Sequence, residues 1–351
     1  MNLAYSVTQN ELLDVLLNVA PTRPVFIWGA PGIGKSALVE EFAAQVGLPC
    51  VSLLGSQLAP EDIIGIPQIK GETSEFLPPK IIARKEPYVL FLDELNACSQ
   101  EVQKAFYSLI HERRVGEYHL PAGSIVIGAG NRSQDGAIVK TMSSALINRM
   151  FHVQMKADPS QWLAWAYENH LHSWVTDYIS QRPDHLFSEP PKNEEPYSTP
   201  RSWHMLSDAL AEYGAGENEL SENTLRVLAY GCISAKHAGM FLAFIKQIGN
   251  RHLLSDILKG DAKWPSRPED RDILYFTAQS FRARLVHDLP ENKQGMNKDA
   301  QYLAHRAKAL IKELAQINYE IAQMVVSADE GEVLPDWFMV EIVRDLPRLA
   351  M

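Results

Sequence analysis

Residues 29–36 read Gly29-Ala30-Pro31-Gly32-Ile33-Gly34-Lys35-Ser36, which meets every constrained position of the pattern G-x-x-x-x-G-K-[ST]. Such a run works where a buried strand ends and a helix begins, so it restricts this part of the chain to a parallel α/β layer before any other residue is considered. The flanks comply: Val25-Phe26-Ile27-Trp28 is a short β-branched and aromatic strand, and Ala37-Leu38-Val39-Glu40-Glu41-Phe42 opens a helix. Glycines let successive backbone N–H groups turn inward onto phosphates, and the helix N-terminus adds partial positive charge. Gly29, Ala30, Pro31, Gly32, Ile33 and Gly34 are therefore the expected cradle for a nucleoside triphosphate. Lys35 supplies a full charge to the β- and γ-phosphates, and Ser36 is the expected hydroxyl ligand of Mg2+.

A second strand, Pro87-Tyr88-Val89-Leu90-Phe91-Leu92, ends in Asp93-Glu94. Carboxylates at the carboxyl end of a parallel strand stand where an open sheet presents its ligands. Asp93 can then hold Mg2+ through water while Glu94 orients and deprotonates an attacking water, which implies hydrolysis. The plain alternative is a solvated strand end that opens a helix. A monomeric P-loop kinase of a small metabolite would share the glycine loop but needs no water-activating carboxylate beside the metal ligand. A third strand, Ser124-Ile125-Val126-Ile127-Gly128-Ala129-Gly130, runs into Asn131, whose amide offers donor and acceptor together to a γ-phosphate and a water. By itself an asparagine there is a turn residue; its place in the series makes it the candidate phosphate sensor.

Around these motifs the chain alternates strands and helices. Thr8 to Val19 places Leu12, Leu13, Leu16 and Leu17 on one face behind a Thr8…Glu11 capping box, Val51-Ser52-Leu53-Leu54 is a strand, and Glu101 to Glu112 carries an apolar stripe. A parallel α/β layer over residues 1–155 follows. After Phe151 the pattern turns helical, with Trp162, Trp165, Trp174 and Trp203 read as core, and His170-Leu171-His172 sending two imidazoles to different faces of a helix. Arg182 to Pro200 holds five prolines and reads as a loop. Residues 156–260 form an expected helical lid and 261–351 a helical C-terminal extension. There Leu303, Ala307, Leu310, Leu314, Ile317, Ile321 and Met324 follow steps of four and three, either a coiled-coil seam or an amphipathic helix packed on its own domain. Gly331 is the expected break, followed by a short helix from Pro335-Asp336-Trp337.

Composition narrows the function. A formal net charge of -10 argues against broad binding to a nucleic-acid backbone, which demands a basic face. Cys50, Cys98 and Cys232 show neither disulfide nor zinc spacing, the histidines form no ligand pair, and no run is long enough to span a bilayer, so the expectation is a cytoplasmic protein without a transition metal.

Taken in order, these motifs resemble those of the AAA+ ATPases, and within them the MoxR family, over roughly residues 5 to 210. The resemblance makes Gly29–Ser36 Walker A, Leu90–Glu94 Walker B and Asn131 sensor 1, and it implies that the nucleotide is ATP. It also implies an arginine finger acting in trans at Arg149, in the segment Ser143 to Phe151, although the family's usual Asp-Arg-Phe is Asn148-Arg149-Met150 here. Arg132, Arg113 and Arg114 could each reach a neighbour's nucleotide or simply pair with surface carboxylates. Thr199-Pro200-Arg201-Ser202 resembles sensor 2, with Arg201 directed at the nucleotide from a second domain, while Ile66–Pro79 and Arg113–Pro121 resemble the family's hairpin inserts. A homo-oligomeric ring of six subunits is implied, with chaperone-like remodelling of a protein client and a partner bearing a von Willebrand factor A domain. A nucleotide switch acting on DNA is the other reading of such a ring.

Overall fold

Strands of two to six residues build the first half of the computed structural model, which describes residues 5–132, 140–216, 220–250, 254–293, 296–327 and 333–345. The strands are β1 (Val25–Trp28), β2 (Cys50–Leu54), β3 (Ile66–Lys70), β4 (Thr73–Leu77), β5 (Val89–Asp93), β6 (Arg114–Val115), β7 (Tyr118–His119), β8 (Ile125–Gly130) and β9 (Phe151–Gln154). Five of them form one parallel sheet in the order β2-β5-β8-β1-β9. Because side chains alternate along a strand, the sheet feeds two cores. Phe26, Trp28, Leu90, Leu92 and Val126 face one, and Val25, Ile27, Val89, Phe91, Ile125 and Ile127 face the other. Both faces are covered, as an all-parallel sheet requires.

The helices of this part are α1 (Gln9–Val19), α2 (Lys35–Gln45), α3 (Glu61–Ile64), α4 (Gln100–His111), α5 (Ser144–Ile147) and α6 (Pro159–Glu168). Glu11 of α1 reaches back to the Thr8 N–H at 2.8 Å, as the capping pattern predicts. Leu12 and Leu16 are buried on the same core as α2, whereas Leu17 is exposed, because the face behind the sheet is narrower than the leucine run. The two expected hairpins are present, β3 pairing with β4 and β6 with β7, and Gly65 and Gly71 take positive φ at the turn points of the first.

The remaining helices are α7 (Ser173–Gln181), α8 (Pro200–Glu212), α9 (Glu222–Cys232), α10 (Ala235–Asn250), α11 (Leu254–Lys259), α12 (Arg271–Asp288), α13 (Lys298–Ile317), α14 (Tyr319–Val326) and α15 (Asp336–Asp345). The chain divides into two compact units, residues 1–165 with 187–204, and residues 166–186 with 205–351. In the second, Tyr178, Phe241, Phe244 and Phe276 pack ring against ring, and α11 to α15 enclose a separate apolar core. No helix among the described residues is long and apolar enough to cross a membrane.

Several expectations need correction. Phe151–Gln154 is an edge strand beside β1, not the start of the helical region; its Phe-His-Val-Gln run is too short and too polar to read as a strand without a partner. His170 and His172 lie in the connection after α6, His170 with φ 55°, so no helix carries them. Trp162 and Trp203 are core, but Trp165 is exposed and Trp174 half-buried. The heptad stripe is split at Asn318, which caps α14 through the Ile321 N–H at 3.1 Å. Ala307, Leu310, Leu314 and Ile321 are buried in the unit's own core, which is the amphipathic-helix reading rather than the seam. Gly331 lies outside the described residues.

Candidate nucleotide site

Three parallel strands, β1, β5 and β8, release their carboxyl ends side by side, and the loops that follow meet there. After Trp28 the chain needs a reversal tight enough to start α2 at Lys35. Gly32 and Gly34 provide it with φ of 76° and 99°, values at which a side chain is strained. Ala30 and Ile33 are buried among the apolar residues beneath the loop, so they can serve a ligand only through their backbone. The N-terminus of α2 opens onto the same turn.

Lys35 is 8 % exposed. Its Nζ donates to the carbonyls of Gly29 at 2.8 Å and Ala30 at 2.9 Å, and to Asn131 Oδ1 at 2.9 Å. The neutral oxygens among its partners are ones that an anionic phosphate can outcompete. Ser36 Oγ donates to Asp93 Oδ2 at 2.9 Å, and Asp93 Oδ1 accepts from the Glu94 N–H at 2.9 Å. Glu94 has φ 52°, and its carboxylate accepts the Ser56 hydroxyl. Lys35, Ser36, Asp93 and Asn131 are therefore one connected group, with Glu94 beside Asp93 and turned toward Ser56.

The sensor 2 segment arrives from the first unit itself, not from a second one. Thr199 and Ser202 cap α8 reciprocally, Thr199 N–H to Ser202 Oγ at 2.7 Å and Ser202 N–H to Thr199 Oγ1 at 3.1 Å. The Arg201 N–H donates to the Gly32 carbonyl at 3.1 Å while its side chain is exposed.

Arg149 follows α5, whose start is capped by Ser143. Its guanidinium carbon lies 4.7 Å from the centre of the Tyr107 ring on α4, and Nη1 donates to the Ala145 carbonyl at 2.9 Å. His152 of β9 fixes the same segment, accepting from Trp28 Nε1 at 3.0 Å and donating to the Ile147 carbonyl at 2.7 Å. Of the other arginines, Arg113 donates to the Ser124 carbonyl and Arg114 pairs with Glu112, so both are committed within their own hairpin region.

Sequence reasoning passed over three residues that shape this site, Asn96, Ser56 and Gln9, and the contact made by Thr199 of the sensor 2 segment. Asn96 bonds both backbone groups of Asn131, Ser56 holds Glu94, and Thr199 and Gln9 stand against Gly32 and Gly34, where an added Cβ would meet Thr199 Oγ1 at 2.7 Å and Gln9 Nε2 at 2.9 Å. Asn96 carried a signal in the sequence: it is a lone amide in Leu95-Asn96-Ala97-Cys98, directly after the acidic strand end. Ser56 and Gln9 carried none, and Thr199 was marked only by its place in the sensor 2 segment.

Residues 24–150 match the AAA domain of the dynein-related subfamily. A midasin of Giardia intestinalis is 30% identical over 169 residues, which are 45% of this chain and 4% of that protein, so this chain spans a small part of the relative's length. Among solved structures, NtrX of Brucella abortus aligns over 99% of this chain and 66% of its own, at 15% identity and a TM-score of 0.40. The Holliday junction branch migration motor RuvB of Thermotoga maritima aligns over 95% of this chain and 86% of its own, at 14% identity and a TM-score of 0.34.

Proposed function

From the AAA ATPase domain that residues 24–150 form, we propose that this protein hydrolyses ATP in the crevice above β1, β5 and β8 and uses the cycle to remodel or activate a partner protein. The observation that carries the reading is the linked set Ser36–Asp93 at 2.9 Å and Lys35–Asn131 at 2.9 Å, which joins the loop to both neighbouring strand ends. The loop N–H groups and Lys35 bind the β- and γ-phosphates. The Ser36 hydroxyl and Asp93 carboxylate are hard oxygen donors that fit Mg2+, which when bound supplies positive charge to the phosphate oxygens. Glu94 takes the proton of the attacking water once its carboxylate leaves Ser56, and Asn131 orients the γ-phosphate. Arg201, at the start of α8 on Gly32, follows the phosphates from the sensor 2 position, and Arg149 acts on a neighbouring subunit's nucleotide in a ring of MoxR type.

The hairpin β3–β4 supports a client-facing role. Ile66 and Ile69 are 71% and 83% exposed on a pair of strands that stands clear of the main sheet, and loops on a rigid scaffold carry recognition. A partner with a von Willebrand factor A domain belongs to the same reading.

The test is Glu94→Gln, which keeps the shape of the side chain and removes its basicity. ATP binding should be retained, while turnover should fall by about 100-fold or more. Undiminished phosphate release from this variant would show that another group activates the water.

A further inference from the structure

β5 and β8 pair as far as Leu92 and Gly128. Beyond that point β5 turns away through Glu94, and the Leu95 N–H donates to the Ala129 carbonyl at 3.0 Å. The chain leaving β8 still has backbone groups to satisfy at Asn131, in a place where an unpaired N–H or carbonyl is costly. One side chain meets both. The Asn96 amide donates from Nδ2 to the Asn131 carbonyl at 2.7 Å and accepts at Oδ1 from the Asn131 N–H at 3.2 Å. It stands in for the next residue of a missing strand. Asn96 is itself 3 % exposed, and its carbonyl accepts the Lys140 N–H at 2.7 Å.

On the opposite flank the Gly29 N–H donates to the Gly130 carbonyl at 3.2 Å, so the tip of β8 is gripped between the glycine loop and Asn96. Gly130 makes this possible by its size alone: a Cβ there would lie 2.2 Å from Asn96 Oδ1 and 2.8 Å from Phe26 Cζ. We infer that Asn96 is a positioning residue for ATP hydrolysis, fixing the main chain of Asn131 so that its side-chain amide is aimed at the γ-phosphate held by Lys35.

The inference rests on Asn131 being the phosphate sensor. A carboxamide suits the task because it offers donor and acceptor in the geometry of a peptide group without charge. Aspartate keeps one acceptor but sets its other oxygen against the Asn131 carbonyl, lone pair against lone pair. A misaimed sensor slows the chemical step and leaves the phosphate cradle intact, so the effect separates kcat from nucleotide affinity.

The experiment measures steady-state hydrolysis of MgATP and binding of a fluorescent ATP analogue with the full chain. Asn96→Asp and Asn96→Ser should lower kcat about 10- to 100-fold while the nucleotide Kd stays within about threefold. In an Asn131→Ala background, adding Asn96→Asp should cost less than about threefold further, because the residue acts through Asn131. Wild-type kcat in folded Asn96 variants, or losses that multiply in the double variant, would overturn the inference. Asn131→Ala with full turnover would instead overturn the sensor reading itself. Should both Asn96 variants fail to fold, Gly130→Ala carries the test, since its methyl displaces Asn96 Oδ1: the same loss of kcat is expected, and unchanged turnover would exclude the clamp.

Discussion

Gly32 and Gly71 both adopt positive φ, 76° and 66°, yet the two positions differ in what surrounds them. An added Cβ at Gly32 would lie 2.7 Å from Thr199 Oγ1 and 3.1 Å from Thr199 Cβ, whereas at Gly71 it would meet nothing within 4 Å. Gly71→Ala should therefore cost about 1–2 kcal/mol of stability from the left-handed backbone alone and leave nucleotide binding unchanged. Gly32→Ala should add to that strain the displacement of Thr199 and of the α8 start that bonds to the Gly32 carbonyl, and so weaken ATP binding by about tenfold or more. Isothermal titration with nucleotide distinguishes the two; equal affinities would mean that the α8 cap does not shape the loop. At this scale the pattern of the loop was legible because its chemistry is local. Thr199 was marked only by its place in the sensor 2 segment, because its contact with Gly32 joins residues far apart in the chain.

Among elements, legibility followed the strength of the local pattern. β1, β5 and β8 are continuous apolar runs and were readable, while β9 depends on pairing with β1 and was not. The α13–α14 stripe kept its spacing across Asn318, where the side chain caps a new helix and interrupts the old one. A further case is the contact between the 3-10 turn Pro183–His185 and α10, where His185 and His237 stack at 4.1 Å. Arg182, Asp184, Lys236 and Tyr178 face this pair. Burial, reinforced by Arg182, pushes the His185 imidazole down to about 2, and burial brings His237 to about 4. Between the ordinary value near 6.5 and about 4, the unfolded chain binds protons that the folded unit refuses, so stability is full above pH 6.5 and falls as pH falls through that window. Thermal melts from pH 7 to pH 4.5 should show a shallower decline for His237→Gln than for the parent protein. An identical slope would mean that His237 charges freely in the folded unit.

For the molecule as a whole, the proposed arginine finger at Arg149 sets the expectation. Arg149 is steadied by Tyr107 and the Ala145 carbonyl on the same segment, so it is presented as a formed group rather than a loose side chain. If it completes a neighbour's site, hydrolysis per subunit should rise with protein concentration. Lys35→Ala and Arg149→Ala should each be inactive alone, and mixed in equal amounts they should regain turnover at about a quarter of their interfaces, those pairing an intact loop with an intact finger. A monomer with full activity, or mixtures that stay inactive while assembling, would exclude action in trans.

The two hairpins were expected from a family resemblance; the sequence by itself determined the phosphate loop, the acidic strand end, strands β1, β2, β5 and β8, and helices α1, α2 and α4. Each is written in contiguous residues whose backbone demands are local. Only the tertiary structure decided that Asn96 serves as a strand neighbour for Asn131, that Ser56 holds Glu94, that α8 rests on Gly32, and that Phe151–Gln154 closes the sheet beside β1. These are pairings between residues far apart in the chain. Their physical cause is that buried backbone and carboxylate groups accept whichever partner the packed strands bring within reach, and no single segment encodes that choice.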